Sequence, residues 1–164
     1  MIDAIYNRRS IRKYKNQPVS DEQIRSLLEA AMMAPSARNR QPWHFVVCTD
    51  REVIDRLREA HPYSSMLSQA PVCIAVCAEP DKSEHYQQDC AAATQNLMLA
   101  AYDMGLGTCW MGVAPQTERM KAVAAVLSIP DGFVPFSLIA VGFPDEEPPR
   151  PKRYDESKVH YNKW

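Results

Sequence analysis

The stretch on which the fold turns is Pro71-Val-Cys-Ile-Ala-Val-Cys-Ala78. The run from Val72 to Ala78 is short, rich in β-branched residues and apolar on both parities. Such a strand has no face to give to water, so it reads as a central strand covered on both sides. Helices must then lie above and below it, and the flanking sequence supplies them.

Upstream, Trp43 to Cys48 (WHFVVC) has strand composition. Asp50 is placed to cap a helix carrying Val53, Ile54, Leu57 and Ala60. Val19 to Ala34 is a well-signalled helix. Ser20 with Gln23 makes a capping box, and Val19 can staple onto Ile24. Ile24, Leu27, Leu28 and Ala31 recur at helical spacing, and Pro35 stops the run. Ile2 to Asn7 reads as one more short helix.

Downstream, His85 to Met104 is the longest helical segment. Ala93, Leu97, Ala100, Ala101 and Met104 form its stripe, and Met98, Leu99 and Tyr102 cover much of the rest. A helix apolar nearly all round in its second half is expected to be buried, against a second subunit as well as its own sheet. Thr108 to Val113 reads as a strand, Thr117 to Ser128 as a capped helix and Phe136 to Gly142 as a last strand. From Pro144 the chain turns polar and proline-rich, an extended arm over 144–164 ending in aromatics that are expected to dock on a partner subunit. The expectation is one domain over residues 1–164, a three-layer α/β/α arrangement around one sheet. A Rossmann unit competes, but its first turn would be Ala78-Glu-Pro-Asp-Lys-Ser83, with no glycine to cradle a pyrophosphate.

Composition narrows the function. Among 164 residues there are five glycines, and the first is Gly105. Glycine-rich phosphate loops are therefore excluded from the first 104 residues. The net charge is −1, yet ten of nineteen cations lie at 8–15 and 150–163. Either both ends are solvated, or they meet around one anion. An isoelectric point near 6.4 argues against nucleic acid. His44, His61, His85 and His160 lack metal-ligand spacing. Five cysteines without a CxxC pair read as buried reduced thiols, which suits a cytoplasmic protein. No apolar run is long enough for a membrane helix. Asp145, Glu146 and Glu147 read as solvated.

Three constellations could carry chemistry. Arg8-Arg9-Ser10-Ile11-Arg12 suits a phosphate, through bidentate guanidinium contacts, although the same pattern occurs on ordinary surfaces. The loop Ala34-Pro-Ser-Ala-Arg-Asn-Arg-Gln-Pro-Trp-His44 presents hydroxyl and amide groups for a polar, uncharged ligand, or for its own turns. Gly105-Leu-Gly-Thr-Cys-Trp-Met-Gly112 lets a backbone approach a ligand closely, or simply packs as a turn and strand.

Together, in this order, these pieces resemble the FMN-dependent nitroreductase family. The resemblance rests on RRSIR at 8–12, APSARNRQPWHF at 34–45, QNLMLAAYDMGLGTCW at 95–110, IPDGFVPFSLIAVGFP at 130–144 and PKRYDESKVHYNKW at 151–164. It implies the α+β nitroreductase fold, as an intertwined homodimer with exchanged C-terminal arms and FMN at the interface. It implies that Arg8, Arg9, Ser10 and Arg12, joined by Arg153, hold the FMN phosphate and nearby ring atoms. Pro35, Ser36, Ala37 and Asn39 would line the flavin from the partner, and Trp110, Met111 and Gly112 would lie beside its ring, with a backbone N–H donating to N5. Many members have serine where this chain has Ala37, which implies one hydroxyl contact fewer. The stretch from Arg51 to Gln69 is too short for the inserted helices that shape the pocket of larger members. The implied activity is ping-pong reduction of a nitroaromatic, quinone or related small acceptor by NADH or NADPH, with no side-chain nucleophile and so no catalytic residue. The cations around Arg12 are expected to stabilise negative charge on the reduced cofactor. Another flavin enzyme on this fold, such as a flavin reductase or reductive dehalogenase, and a non-catalytic flavin-binding or redox-sensing protein are the alternatives.

Overall fold

Ser20 closes its capping box: its hydroxyl accepts from the Gln23 N–H at 3.2 Å, and its own N–H donates to Gln23 Oε1 at 3.0 Å. Asp50 caps its helix as expected, accepting the Glu52 N–H at 2.8 Å, whereas the helix beginning at Thr117, expected to be capped, has no side-chain cap. The computed structural model describes residues 2–164. In chain order its elements are α1 (Asp3–Asn7), α2 (Asp21–Met32), β1 (Trp43–Cys48), α3 (Arg51–Ala60), β2 (Val72–Ala78), α4 (Tyr86–Asp103), β3 (Gly107–Gly112), α5 (Thr117–Leu127) and β4 (Val134–Gly142). The four strands lie in the order β1-β2-β4-β3, and every neighbouring pair is antiparallel. That pairing is incompatible with the parallel sheet of a Rossmann unit.

β2 is buried along its whole length, as its double-sided apolar run requires. Val72, Ile74, Val76 and Ala78 face a core shared with α2 and α4. Cys73, Ala75 and Cys77 face a second core with α3 and α5. The period-2 alternation of a strand thus divides one apolar run between two helical layers. All five cysteines are buried and unpaired. Burial pushes the Cys48 thiol up to about 11 and those of Cys77 and Cys90 up to about 12.

The N-terminal segment after α1 is tied along the free edge of β3. Ser10 bridges Thr108, and the Ile11 N–H donates to the Thr108 carbonyl at 2.9 Å. The segment goes on to Lys15, whose N–H donates to the Phe143 carbonyl at 2.9 Å, and Asp145 N–H donates back to Lys13 O at 2.9 Å. Two glycines make room for it. A Cβ at Gly107 would lie 2.7 Å from Ile11, and one at Gly142 would lie 2.7 Å from Pro71 and 2.9 Å from Tyr14.

One reading of the arm is corrected. Glu146 is not a solvated tail residue: its Oε1 accepts the backbone N–H groups of Arg12 and Lys13. Within this chain Leu99, Ala100 and Tyr102 of α4, and Met104 just after it, are only partly buried. Beyond Arg150 every residue is exposed, and the tail rings of His160 and Trp164 lie against each other, their centroids 4.4 Å apart.

Candidate functional site at the outer end of strand β3

The two basic ends of the chain meet. Arg8 is half-buried, and its pKa is lowered, first by that burial and then by the positive charges of Arg153 and Arg9. Arg8 and Arg12 both bear on the Cys109 thiol in β3; burial, the larger influence, raises its pKa. Among the described residues, no carboxylate forms a salt bridge with Arg8, Arg9, Arg12 or Arg153. The Glu146 carboxylate is spent on the backbone N–H groups of Arg12 and Lys13, so the guanidinium groups are left with the chemistry to bind an anion. Arg9 is partly committed: it donates to the carbonyls of Pro149 (3.1 Å), Tyr6 (3.0 Å) and Arg8 (2.5 Å). It thereby straps the arm to the end of α1. Ser10 is half-buried beside Thr108.

Further along β3, the side chains of Trp110 and Met111 diverge. Trp110 is half-buried and packs on Phe136, ring centroids 5.8 Å apart. Met111 is only 3% exposed and belongs to the second core, so only its backbone can meet a ligand. Gly112 ends the strand in the open. Gly107 and Gly142 are required by close contacts, and Gly105 and Gly132 by positive φ (+74° and +88°). Gly112 has neither reason, since a Cβ there would meet nothing within 4 Å. Its missing side chain keeps clear a space that the chain itself does not fill.

The Gly112 carbonyl is held from two sides. His61 Nε2 lies 2.9 Å from it, and Arg119 Nη1 donates to it at 2.6 Å. His61 Nδ1 accepts the Tyr63 N–H at 3.2 Å, so Nε2 carries the proton and the ring is neutral. Burial, the largest influence, lowers the His61 pKa; the hydrogen bond to the Gly112 carbonyl works against it, and the positive charge of Arg119 works with it.

The loop from Pro35 to Asn39 lies elsewhere. It leads into β1, the sheet edge opposite β3. Its Ser36 Oγ accepts the Gln41 N–H at 3.0 Å, and Asn39 Oδ1 accepts from Gln41 Nε2 at 3.0 Å. Both side chains thus brace the loop itself. Ala37 N–H donates to Asp89 Oδ1 at 2.9 Å, and Ser83 Oγ donates to Asp89 Oδ2 at 2.9 Å. Arg38, Asn39 and Gln41 all adopt left-handed backbone, with φ of 53°, 54° and 48°. This conformation costs a non-glycine residue roughly 1 kcal/mol or more, which the loop's internal hydrogen bonds help to hold. Among the described residues, no hydrogen bond joins this loop to Arg8–Arg12 or to Trp110–Gly112.

His61, Arg119 and Asp89 were not legible as site residues. His61 is 51 positions from the carbonyl it holds, and Asp89 reads in sequence as an ordinary acid in the first turn of a helix.

The residues fit an FMN-like ligand on two separate counts. The unpaired cations at Arg8, Arg12 and Arg153 match a phosphate, and the open face at Gly112 matches a flat ring that needs close backbone approach. Among the described residues no helix is long and apolar enough to cross a membrane, and no group of three His, Cys, Asp or Glu side chains could hold a metal ion.

Known proteins share this fold. The chain is 45% identical over 170 residues to a protein of Archaeoglobus fulgidus provisionally named an NADH dehydrogenase/NAD(P)H nitroreductase, covering 99% of this chain and 98% of that one. A crystal structure from Bacteroides thetaiotaomicron with the same provisional name superposes with a TM-score of 0.97 at 40% identity, covering 99% of this chain and 97% of the other. An FMN-dependent nitroreductase from Clostridium difficile superposes with a TM-score of 0.94 at 31% identity, covering 100% of both chains. The family model described as the nitroreductase family matches residues 5–62 and 59–143, a span that takes in the Arg8–Arg12 cluster, the Pro35–Asn39 loop and Gly112, so the chain belongs to the nitroreductase family of oxidoreductases.

Proposed function

We propose that this chain is an FMN-dependent oxidoreductase that uses NADH or NADPH to reduce nitroaromatics, quinones or related small acceptors. The observation that carries the reading is the conjunction at one strand: at one side of β3, a cationic cluster whose guanidinium groups form no salt bridge among the described residues, although Glu146 binds the backbone there, and at its outer end a glycine with no internal reason. The name of the Clostridium difficile relative supports the choice of cofactor. When bound, FMN would supply the redox chemistry that links nucleotide oxidation to reduction of the acceptor, in a ping-pong cycle.

The roles of the chain's own residues follow. Arg8, Arg12 and Arg153 would bind the phosphate, with Ser10 beside them and Arg9 bracing the arm. The backbone at Trp110, Met111 and Gly112 would lie along the ring. Pro35, Ser36, Ala37 and Asn39 would close the cleft from a second copy, since within one chain they stand at the far edge of the sheet. A homodimer is further supported by exposed apolar groups that want cover, among them Ile5, Met33, Tyr161 and Trp164. In that dimer each chain acts as one domain whose arm, 144–164, reaches across. Five reduced, buried thiols suit the cytoplasm.

The test is a spectrum. Purified protein should carry a flavin absorbance band, or acquire it with FMN, and anaerobic NADH or NADPH should bleach it. A chain that cannot be loaded with FMN would end this reading. Bound flavin that neither nucleotide reduces would instead mark a flavin-binding or sensing protein.

A further inference from the structure

His61 is a buried polar side chain that the proposed cofactor contacts leave unused. It is 2% exposed, and both ring nitrogens are engaged. Nε2–H and Arg119 Nη1–H converge on a single acceptor, the carbonyl of Gly112. Two donors on one carbonyl fix the peptide plane that leaves Gly112, the residue at which β3 meets open space. The same imidazole accepts the Tyr63 N–H, and Arg119 also lies over the Tyr63 ring, 5.6 Å from its centroid. One buried ring therefore ties the turn after α3 to the outer end of β3.

We propose that His61 is a positioning residue: in its neutral Nε2–H form, with Arg119, it holds the Gly112 end of β3 in the geometry that receives the flavin. The proposal rests on the FMN reading above. Protonation breaks the arrangement at a definable atom. A proton on Nδ1 would face the Tyr63 N–H donor to donor, so the turn must open. Burial opposes that proton, against the hydrogen bond to the Gly112 carbonyl, which favours it. Arg119 of α5 places a positive charge beside the ring. Its neighbour Glu118 is turned to Lys121 at 3.1 Å, and Arg58 on α3 to Asp55 at 3.6 Å. β3 brings only the Gly112 carbonyl.

The test measures FMN affinity of the apoprotein by quenching of flavin fluorescence, from pH 5 to pH 9, in wild type, His61→Phe and His61→Gln. Phe keeps the ring shape without the donor; Gln can donate to Gly112 but cannot titrate. Losing one buried hydrogen bond should weaken binding about five- to tenfold in His61→Phe at neutral pH, and His61→Gln should recover most of it. Wild type should lose additional affinity as pH falls below the ordinary histidine range, and His61→Gln should not. The phosphate of FMN titrates in all three proteins, so the difference between profiles is the readout. Nitrogen NMR of the wild-type ring should report the neutral Nε2–H tautomer, and this decides the matter if the Phe variant does not fold. Equal affinities and superimposable profiles, or an Nδ1–H tautomer, would overturn the proposal. A wild type that binds no FMN would overturn the cofactor reading itself, a failure seen without any variant.

Discussion

Gly107 and Gly112 stand at the two ends of the same strand and are glycine for opposite reasons. At Gly107, an added Cβ would lie 2.7–2.9 Å from three atoms of Ile11. At Gly112 it would meet nothing within 4 Å. One end of β3 is closed by the chain's own N-terminal segment, which brings Arg8 to Arg12 alongside. The other end is left open, its carbonyl clamped by His61 and Arg119. Packing explains the first glycine completely and the second not at all. The difference locates where this fold stops serving itself and starts serving a ligand.

The sharpest way to break that contrast is the same substitution at both ends. Gly107→Val should destabilise the fold by about 3 kcal/mol, since Ile11 cannot retreat without pulling the N-terminal strap off the edge of β3. Denaturant melts would measure it, and a neutral result would mean the strap is not seated as described. Gly112→Val should change stability by less than ~1 kcal/mol, as an exposed strand end tolerates a β-branched residue. Its FMN affinity should nevertheless fall at least tenfold, about 1.4 kcal/mol. If Gly112→Val bound FMN like wild type, the open face would have to serve something else.

Much of this fold was legible because its signals are local. β1 and β2 span the residues read from composition, and the Ser20 box and Pro35 bracket α2 as read, within two residues. β4 begins two residues before its apolar run, at Val134, because Pro135 pairs opposite Cys77 beside a bulge. The site was legible only where residue type is itself a signal, as with clustered arginines. His61 on Gly112, Asp89 on Ala37 and Glu146 on Arg12 are long-range hydrogen bonds, and neither periodicity nor composition carries a pairing of that kind. The antiparallel order β1-β2-β4-β3 was invisible for the same reason.

A charge substitution sharpens the contrast at its cationic side. Arg153→Ala removes a cation that already repels Arg8. If the cluster exists for an anion, the fold should keep its melting temperature while FMN affinity drops about tenfold, in the range of a lost charge-assisted contact. Riboflavin, which lacks the phosphate, should be bound equally by variant and wild type. A variant that loses stability and riboflavin binding together would show instead that Arg153 holds the arm in place.

The smallest effect is expected at Arg38, which inverts the logic of Gly112. Gly112 is a glycine where the chain's own geometry asks for none. Arg38 is not a glycine where the geometry asks for one, at φ 53°. Its side chain is exposed and has no hydrogen bond or ion pair among the described residues. Arg38→Gly should therefore raise stability, by up to ~1 kcal/mol, because relief of the left-handed strain slightly outweighs the greater freedom of glycine in the unfolded chain. Thermal melts of the variant beside wild type would read it. A gain in stability with a loss of FMN affinity in the same variant would place Arg38 with Gly112, as a residue kept for what the loop meets outside its own chain. A loss of stability would instead mean that the arginine stem packs usefully on the loop, and the strain there would need another cause.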